Sequence, residues 1–381
     1  MRNELLLTNA RIVLKDEVIV GSIRIQDGVI CDIDHGLSSA IGVEDMEGDY
    51  LIPGLIELHT DNLEKHFTPR PKVRWPSIPA VLAHDAQLAA AGITTVFDAV
   101  ALGDVKDGSA RIQYVNDMIE AITMAQEERA TRSEHFIHLR CELAYEKVVD
   151  LFNPFRDHYL LRLVSVMDHS PGQRQFVNID KYREYYQGKY GLNDQEIEEF
   201  IDSQKKASQR YSQKNRQQIV DQCREMDIAL ASHDDATAEH INEAVQYGMC
   251  IAEFPTTHEA AQEAKRNGLN VLMGAPNLVH GHSHSGNVSA RELAENGLLD
   301  VVSSDYFPTS LLQAAFTLHR ETDSFTLPEA ISTVTSKPAQ SVRLTDRGEI
   351  AVGMRGDVVR VHEYHRFPLV KEVWRQGRRI Y

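Results

Sequence analysis

A chain of 381 residues, 42% hydrophobic and 25% charged, has the material for one large catalytic domain with a small appendage, or for two ordinary domains. Its 40 basic and 56 acidic residues leave a net charge of −16, which argues against general nucleic-acid binding, although a local basic pocket can still attract an anionic small molecule. No apolar run nears the roughly 18 residues of a membrane span, and the start MRNELLLTNA lacks a secretory signal, so a cytoplasmic protein off the membrane is expected.

Residues 1–50 read as strands between turns: ELLLTNARIVL, EVIVGSIRIQ and GVICDIDHG each carry β-branched residues with polar alternation. The stretch from Leu51 to Trp75 follows, LIPGLIELHTDNLEKHFTPRPKVRW. Its apolar start reads as one buried strand entered through a turn at Pro-Gly. At the strand's end His59 and Asp61 sit two residues apart and so face one spot, an imidazole and a carboxylate suited to a divalent ion such as Zn or Mn. Lys65, His66, Arg70, Lys72 and Arg74 then form a cationic loop stiffened by prolines, a receptor for phosphate oxygens beside the metal.

The middle of the chain alternates helical stretches such as PAVLAHDAQLAAAG with short apolar strands: ITTVFDAV, EHFIHLRCEL, LRLVSVMDHS, IALASHDD, MCIAEFP, NVLMGAPN and DVVSSDYFP. With the Leu51 strand these make eight βα units and predict a (β/α)8 TIM-like barrel over residues 51–345, with an open doubly wound sheet as the competing architecture. A polar stretch at about 170–225 reads as a helical insertion with Asn193 or Asp194 as a helix N-cap. The C-terminal segments GEIAVGMRGDVVRVHEY and VKEVWRQGRRIY return to strand texture. Residues 1–50 and 346–381 are therefore expected to build one small β-sandwich domain from both termini. Cys31, Cys141, Cys223 and Cys250 lie far apart and read as buried thiols in a reducing compartment.

Histidines and carboxylates gather where the strands end: His59 and Asp61, Asp98, His138, Arg140 and Glu142, Asp168 and His169, His233 to Asp235, Glu253 and Asp305, with His280, His282 and His284 later. A divalent ion held by several of these would acidify a bound water. Neither a serine-nucleophile motif nor a glycine-rich phosphate loop is present, so water is the expected nucleophile.

PGLIELHTD, GITTVFDA, SHDD, SSDY and the closing GEIAVGMRGDVV together resemble the amidohydrolase superfamily along nearly the whole chain. HTDNLEKH, PRPKVRW, MDHSPGQRQF, EFPTTHEA, MGAPN, SHSGN and SSDYFP are similar to a branch of it active in phosphonate catabolism. That resemblance implies metal-dependent hydrolysis of α-D-ribose 1-methylphosphonate 5-triphosphate to the 5-phosphate and pyrophosphate. A cyclic amidase, deacetylase or deaminase is the alternative, although an amide substrate has little use for the cationic loop. The resemblance places one or two divalent ions, Zn or alternatively Mn or Fe, on His59, Asp61, Glu142, His233 and Asp305, with Asp305, His233 and Glu142 catalytic. Asp61 stands where most members carry a second histidine, and Glu142 where many carry a carboxylated lysine. Glu253 and His284 are further candidates for metal or phosphate. Lys65, Arg70, Arg74, Arg140, His169, Arg174 and Asn287 are expected to hold the phosphorylated sugar, arginine suiting bidentate contact with oxyanions. A homo-oligomer is expected.

Overall fold

The computed structural model describes residues 4–104, 110–176, 178–283 and 286–381. The chain begins with strands β1 (Glu4–Val13), β2 (Val18–Gln26), β3 (Val29–His35), β4 (Glu44–Asp45) and β5 (Tyr50–Pro53). The inward residues of this alternating stretch, among them Ile12, Ile23, Ile25 and Ile30, share one core with Val358 and Trp374 from the other end of the chain.

Eight strands then alternate with helices. They are β6 (Leu55–Thr60), β7 (Ile93–Leu102), β8 (Glu134–Glu142), β9 (Leu161–Met167), β10 (Ala229–His233), β11 (Ile251–Glu253), β12 (Asn270–Gly274) and β13 (Val301–Ser303). Helices α1 (Asn62–Phe67) and α2 (Ser77–Ala90) follow β6, α3 (Ala110–Glu127) follows β7 and α4 (Val148–Phe152) follows β8. After β9 come α5 (Ile179–Tyr190), α6 (Asp194–Ala207) and α7 (Gln213–Glu225). Then α8 (Ala238–Gln246) follows β10 and α9 (His258–Arg266) follows β11, with α10 (Ala275–His280) and α11 (Ala290–Glu295) after β12. The chain closes with β14 (Val358–Tyr364), β15 (Phe367–Arg375) and β16 (Arg378–Arg379).

The eight middle strands hydrogen-bond in chain order from β6 to β13. Thr60 at the end of β6 pairs parallel with Asp305 just beyond β13, which brings the last strand back to the first and makes the sheet a (β/α)8 barrel. These strands are buried on both faces, as a parallel sheet covered by helices requires: every residue of β6 and β7 is buried. The remaining strands hydrogen-bond as one continuous sheet, ordered β16-β15-β14-β5-β1-β2-β3 with β4 beside β1. The two termini are thus united through β5, which pairs antiparallel with β14.

The run LIPGLIEL differs from its sequence reading as one strand. Tyr50–Pro53 belongs to the terminal sheet and Leu55–Thr60 to the barrel, with Gly54 between. The reason is steric: a Cβ on residue 54 would stand 2.3 Å from Thr94 Oγ1 and 2.7 Å from Thr94 Cγ2. Only glycine lets the backbone pass β7 so closely as it changes sheets.

The segment after β9 forms a subcore of its own. Phe176, Tyr182, Tyr186, Ile197 and Ile201 bury against one another, so Tyr182 and Tyr186 of NIDKYREYYQGKYG pack inward while Tyr185 is exposed. Asn193 caps α6 with a full capping box, its side chain accepting from the Glu196 amide while Glu196 returns a bond to the Asn193 amide. By internal contacts the chain divides into two compact units, Met1–Asp98 with Ala121–Phe136 and Met273–Tyr381, and Ala99–Glu120 with Ile137–Leu272. Among the described residues no helix is long and apolar enough to cross a membrane. The four cysteines are free thiols.

Gly54→Ala is expected to destabilise the fold by about 1–3 kcal/mol, the usual cost of overpacking. Adding Thr94→Ala, which removes the two closest atoms, should recover part of that loss. Denaturant melts of the single and double variants decide it, and a neutral Gly54→Ala would refute the close-approach argument.

Candidate metal centre

The strand ends share a backbone device. Asp234 after β10, Phe254 after β11 and Asp305 after β13 lie in the left-handed region, with φ of 56°, 53° and 57°. Each donates its N–H to the next strand in the barrel: Asp234 to the Glu253 carbonyl at 2.9 Å, Phe254 to Leu272 at 2.8 Å and Asp305 to His59 at 3.1 Å. Aspartate tolerates this conformation, whereas a bulky phenylalanine is an outlier there. The turn extends the sheet's hydrogen bonding by one residue and then breaks the strand.

In the second unit the strand ends carry a connected set of acid and imidazole groups. His169 Nδ1 donates to Glu142 Oε2 at 2.5 Å, and the His169 amide to Glu142 Oε1 at 3.1 Å. His233 Nδ1 lies 3.1 Å from Glu253 Oε2, which also accepts from the Ser165 hydroxyl at 2.6 Å. His138 Nε2 meets the Ser165 hydroxyl and stands 3.7 Å from Glu253 Oε1. With both Nδ1 atoms held by glutamates, the Nε2 atoms of His169 and His233 each face Asp234 Oδ2 at 3.5 Å. The donor atoms of His169, His233 and Asp234 lie within 4.8 Å of one another.

Histidines oriented by carboxylates through one nitrogen, with the other turned to a shared point, are how proteins prepare metal ligands. The site's preference for positive charge shows in His169. Burial opposes its protonation, yet the Glu142 and Asp234 carboxylates outweigh that and push its pKa up to about 10. Asp234 is held below its ordinary value against the effect of burial, by His233, His169 and the nearby Arg140.

In the first unit β6 and β13 close on each other through Glu57. Its carboxylate accepts from the His59 amide at 2.7 Å, the Ser304 amide at 2.6 Å and the Ser303 hydroxyl. The Ser303 hydroxyl also lies 2.5 Å from the His59 carbonyl, so its one proton is shared between that oxygen and the carboxylate, and Thr60 Oγ1 donates to the Asp305 carbonyl at 2.8 Å. Complete burial raises the Glu57 pKa despite these bonds. The backbones of His59, Asp61 and Asp305 are thereby locked together, the Asp61 amide donating to the Asp305 carbonyl at 3.1 Å. Asp61 occupies the N-cap position of α1 but makes no capping bond with its side chain, so the carboxylate is not consumed by the usual task of an N-cap aspartate. Lys65 lies 5.2 Å from the Tyr306 ring centre and donates to the Tyr306 carbonyl. Arg70, Lys72 and Arg74 are exposed on a tight turn closed by the Val73 amide on the Arg70 carbonyl at 3.0 Å.

Of a further buried set the sequence had pointed only to Asp98, and not to His84, Asp85 or His135. Asp98 on β7 accepts from His84 Nε2 and His135 Nδ1, both at 2.7 Å. His135 Nε2 reaches Asp85 Oδ1 at 3.2 Å, and Asp85 also accepts from the Arg132 and Ser133 amides. The signal lay in α2, where His84, Asp85 and Leu88 mark a polar pair inside the buried face. His84, Asp98 and His135 have metal-ligand spacing, but their hydrogen bonds consume both nitrogens of His135 and both oxygens of Asp98. The set is a hydrogen-bonded relay built around an imidazolium.

Arg174 departs from its expected role. It is 3% exposed, with Nη1 on Asp235 and Nη2 on Glu243 at 3.0 Å. Two carboxylates claim the guanidinium, so it fixes the β10 end and is not free to grip phosphate. Arg140 is half-buried and its Nε finds no protein partner. Asn287 is half-buried in the loop before α11, His258 begins α9, and His284 lies outside the described residues.

An amidohydrolase family profile matches residues 83–381. The alpha-D-ribose 1-methylphosphonate 5-triphosphate diphosphatase of Escherichia coli (strain K12) is 51% identical over 378 residues, covering 99% of this chain and 100% of that protein. Among solved structures, 5-methylcytosine deaminase from Klebsiella pneumoniae superposes with a TM-score of 0.66 at 16% identity, over 99% of this chain and 98% of that one. Molinate hydrolase does so with a TM-score of 0.64 at 13% identity, over 99% and 94%. At those identities the structural likeness speaks for the fold.

The relay makes stability depend on pH with a definite sign. Burial opposes charge on His135, but Asp98 and Asp85 outweigh it and raise its pKa from 6.5 to about 9. Its contribution is therefore whole below about pH 6.5 and is lost as pH rises through about 9. Asp85 and Asp98 are shifted below 3.8, against the effect of burial, by their histidine partners, so their contribution is present above that value and fades in acid. Thermal melts at fixed ionic strength should show the wild-type midpoint falling between about pH 7 and 9.5, and His135→Gln should be less stable at pH 7 with a flatter profile over that window. Parallel profiles would refute an imidazolium at His135.

Proposed function

Because this chain belongs to the amidohydrolase family, a family of metal-dependent hydrolases, we propose that it hydrolyses α-D-ribose 1-methylphosphonate 5-triphosphate to the 5-phosphate and pyrophosphate in phosphonate catabolism. The observation that carries the reading is the second unit's trio. Two imidazoles, each held from behind by a glutamate through Nδ1, turn their Nε2 atoms to one aspartate at the barrel's strand ends. The same activity in a relative alike along its whole length supports the substrate.

His169, His233 and Asp234 are the donors best prepared for a divalent ion, with Glu142 and Glu253 orienting the imidazoles. His59 on the first barrel strand, and Asp61 and Asp305 just beyond the first and last, are assigned the same task. Imidazole and carboxylate donors together favour zinc, with manganese or iron as alternatives. When bound, such an ion supplies positive charge at the phosphoryl oxygens and acidifies a water.

The protein's own groups do the rest. Asp305, half-buried on its left-handed turn, accepts the proton of the attacking water. Lys65, Arg70, Lys72 and Arg74 hold the β- and γ-phosphates, which leaves the α-phosphorus for attack and makes pyrophosphate the leaving group. Arg140, whose Nε is otherwise unsatisfied, faces the charge that develops on the phosphoryl oxygens. Free thiols suit a cytoplasmic setting.

Asp305→Asn should lower kcat by about 10²–10⁴-fold, the usual worth of general base catalysis. Elemental analysis must accompany the kinetics, since near-normal turnover in a variant that keeps its metal would remove Asp305 from the proton transfer.

Product analysis tests which bond breaks. With a ribose 5-triphosphate the first product should be pyrophosphate with little orthophosphate, and Arg70→Ala and Arg74→Ala should raise KM by about tenfold with a smaller effect on kcat. Stepwise orthophosphate release would reverse the assignment of the basic loop.

A further inference from the structure

Helix α1 has six residues, too few to hold itself in water, and its N-cap aspartate does not cap it. Leu63 and Phe67 bury its apolar side, and one buried amide ties it to α2. Asn62, 2% exposed, places its Nδ2 3.0 Å from His84 Nδ1 and 3.0 Å from Gln87 Oε1, both on α2. His66, one turn along α1, meets the same Gln87 Oε1 with its Nε2 at 3.1 Å.

The amide nitrogen can only donate, so His84 Nδ1 must accept. This leaves His84 Nε2 to carry the proton that goes to Asp98 Oδ1 at 2.7 Å. The other oxygen of Asp98 is engaged by His135, so the carboxylate cannot rotate away and the tautomer of His84 is fixed. The seat of α1 is therefore set by groups buried behind it. Asp61 immediately precedes the helix and Lys65 stands on it. Its last residue, Phe67, offers its carbonyl to the Trp75 amide at 2.8 Å, closing the segment that carries Arg70, Lys72 and Arg74.

We propose that Asn62 is a positioning residue: seated on the His135–Asp98–His84 relay, it fixes α1 and thereby aims Lys65 and the Arg70–Arg74 turn at the triphosphate tail. The assignment rests on the diphosphatase reading, so one arm of the test does not use activity.

In the full-length metal-loaded enzyme, Asn62→Ala should raise KM for the ribose 5-triphosphate by about tenfold with kcat within about threefold. Limited trypsin digestion reads the same tether directly. Cleavage after Lys72 and Arg74 should speed up by about tenfold in Asn62→Ala, because local opening becomes easier, while cleavage elsewhere keeps its wild-type rate. Gln87→Met, at a half-buried position where misfolding is less of a risk, should shift both readouts in the same direction by less. Unchanged KM together with unchanged cleavage overturns the proposal. So does a fall in kcat with KM preserved, which would place Asn62 in the chemistry, or faster cleavage spread over the whole chain, which would make it a packing residue. If wild-type enzyme releases no pyrophosphate, the functional reading fails and the cleavage arm alone decides whether Asn62 tethers the loop.

Discussion

Glu57, Asp98, Asp235 and Glu253 are carboxylates with no exposure to solvent, and taking such a group out of water costs several kcal/mol unless donors replace the lost hydration. The barrel's polar chemistry follows from meeting that demand. Glu57 is met by two amides and a serine, Asp98 by two imidazoles, Asp235 by Arg174 and Ser232, and Glu253 by His233 and Ser165. A parallel barrel has little slack in which to move a side chain once its strands are paired. Groups engaged in this way keep one orientation.

The same demand separates two kinds of histidine and two kinds of arginine. His84 and His135 have both nitrogens engaged inside the protein and serve as structure. His169 and His233 have one nitrogen engaged by a glutamate while the other faces Asp234, so positive charge is called for at that point. Arg174 sits between carboxylates, and Arg347 and Arg355 converge on Glu134. Such buried guanidiniums hold strands and segments in register. The cations of the Arg70–Arg74 turn, by contrast, are exposed to solvent.

Part of the backbone strain lies where this chemistry is, although other left-handed residues, among them Asn9, Asp27 and Gln376, sit in turns elsewhere. Non-glycine residues in left-handed conformation follow three of the barrel strands, and two of them are Asp234 and Asp305. A residue held there costs about 1–3 kcal/mol. It is retained because its N–H continues the neighbouring strand's ladder while the chain turns out of the sheet.

Much of this was legible in the sequence because it is local. The spacing of short apolar runs gave the eight barrel strands, the β-branched alternation at both ends gave the terminal sheet, and His59, Glu142, His233 and Glu253 stand at or beside strand ends as read, whereas Asp98 and His138 lie inside β7 and β8. The cationic turn was legible for the same reason, its charges lying within ten residues of one another from Lys65 to Arg74. Tertiary structure decided what depends on distant partners. Gly54 splits LIPGLIEL between two sheets because Thr94 occupies the space a side chain would need. Glu142 supports His169, and Arg174 is claimed by Asp235, through contacts 27 and 61 residues apart along the chain. Ser303 meets Glu57 across 246 residues. A sequence shows which groups can donate, accept or carry charge; which of them a buried carboxylate actually meets is fixed only when strand order and register bring them together.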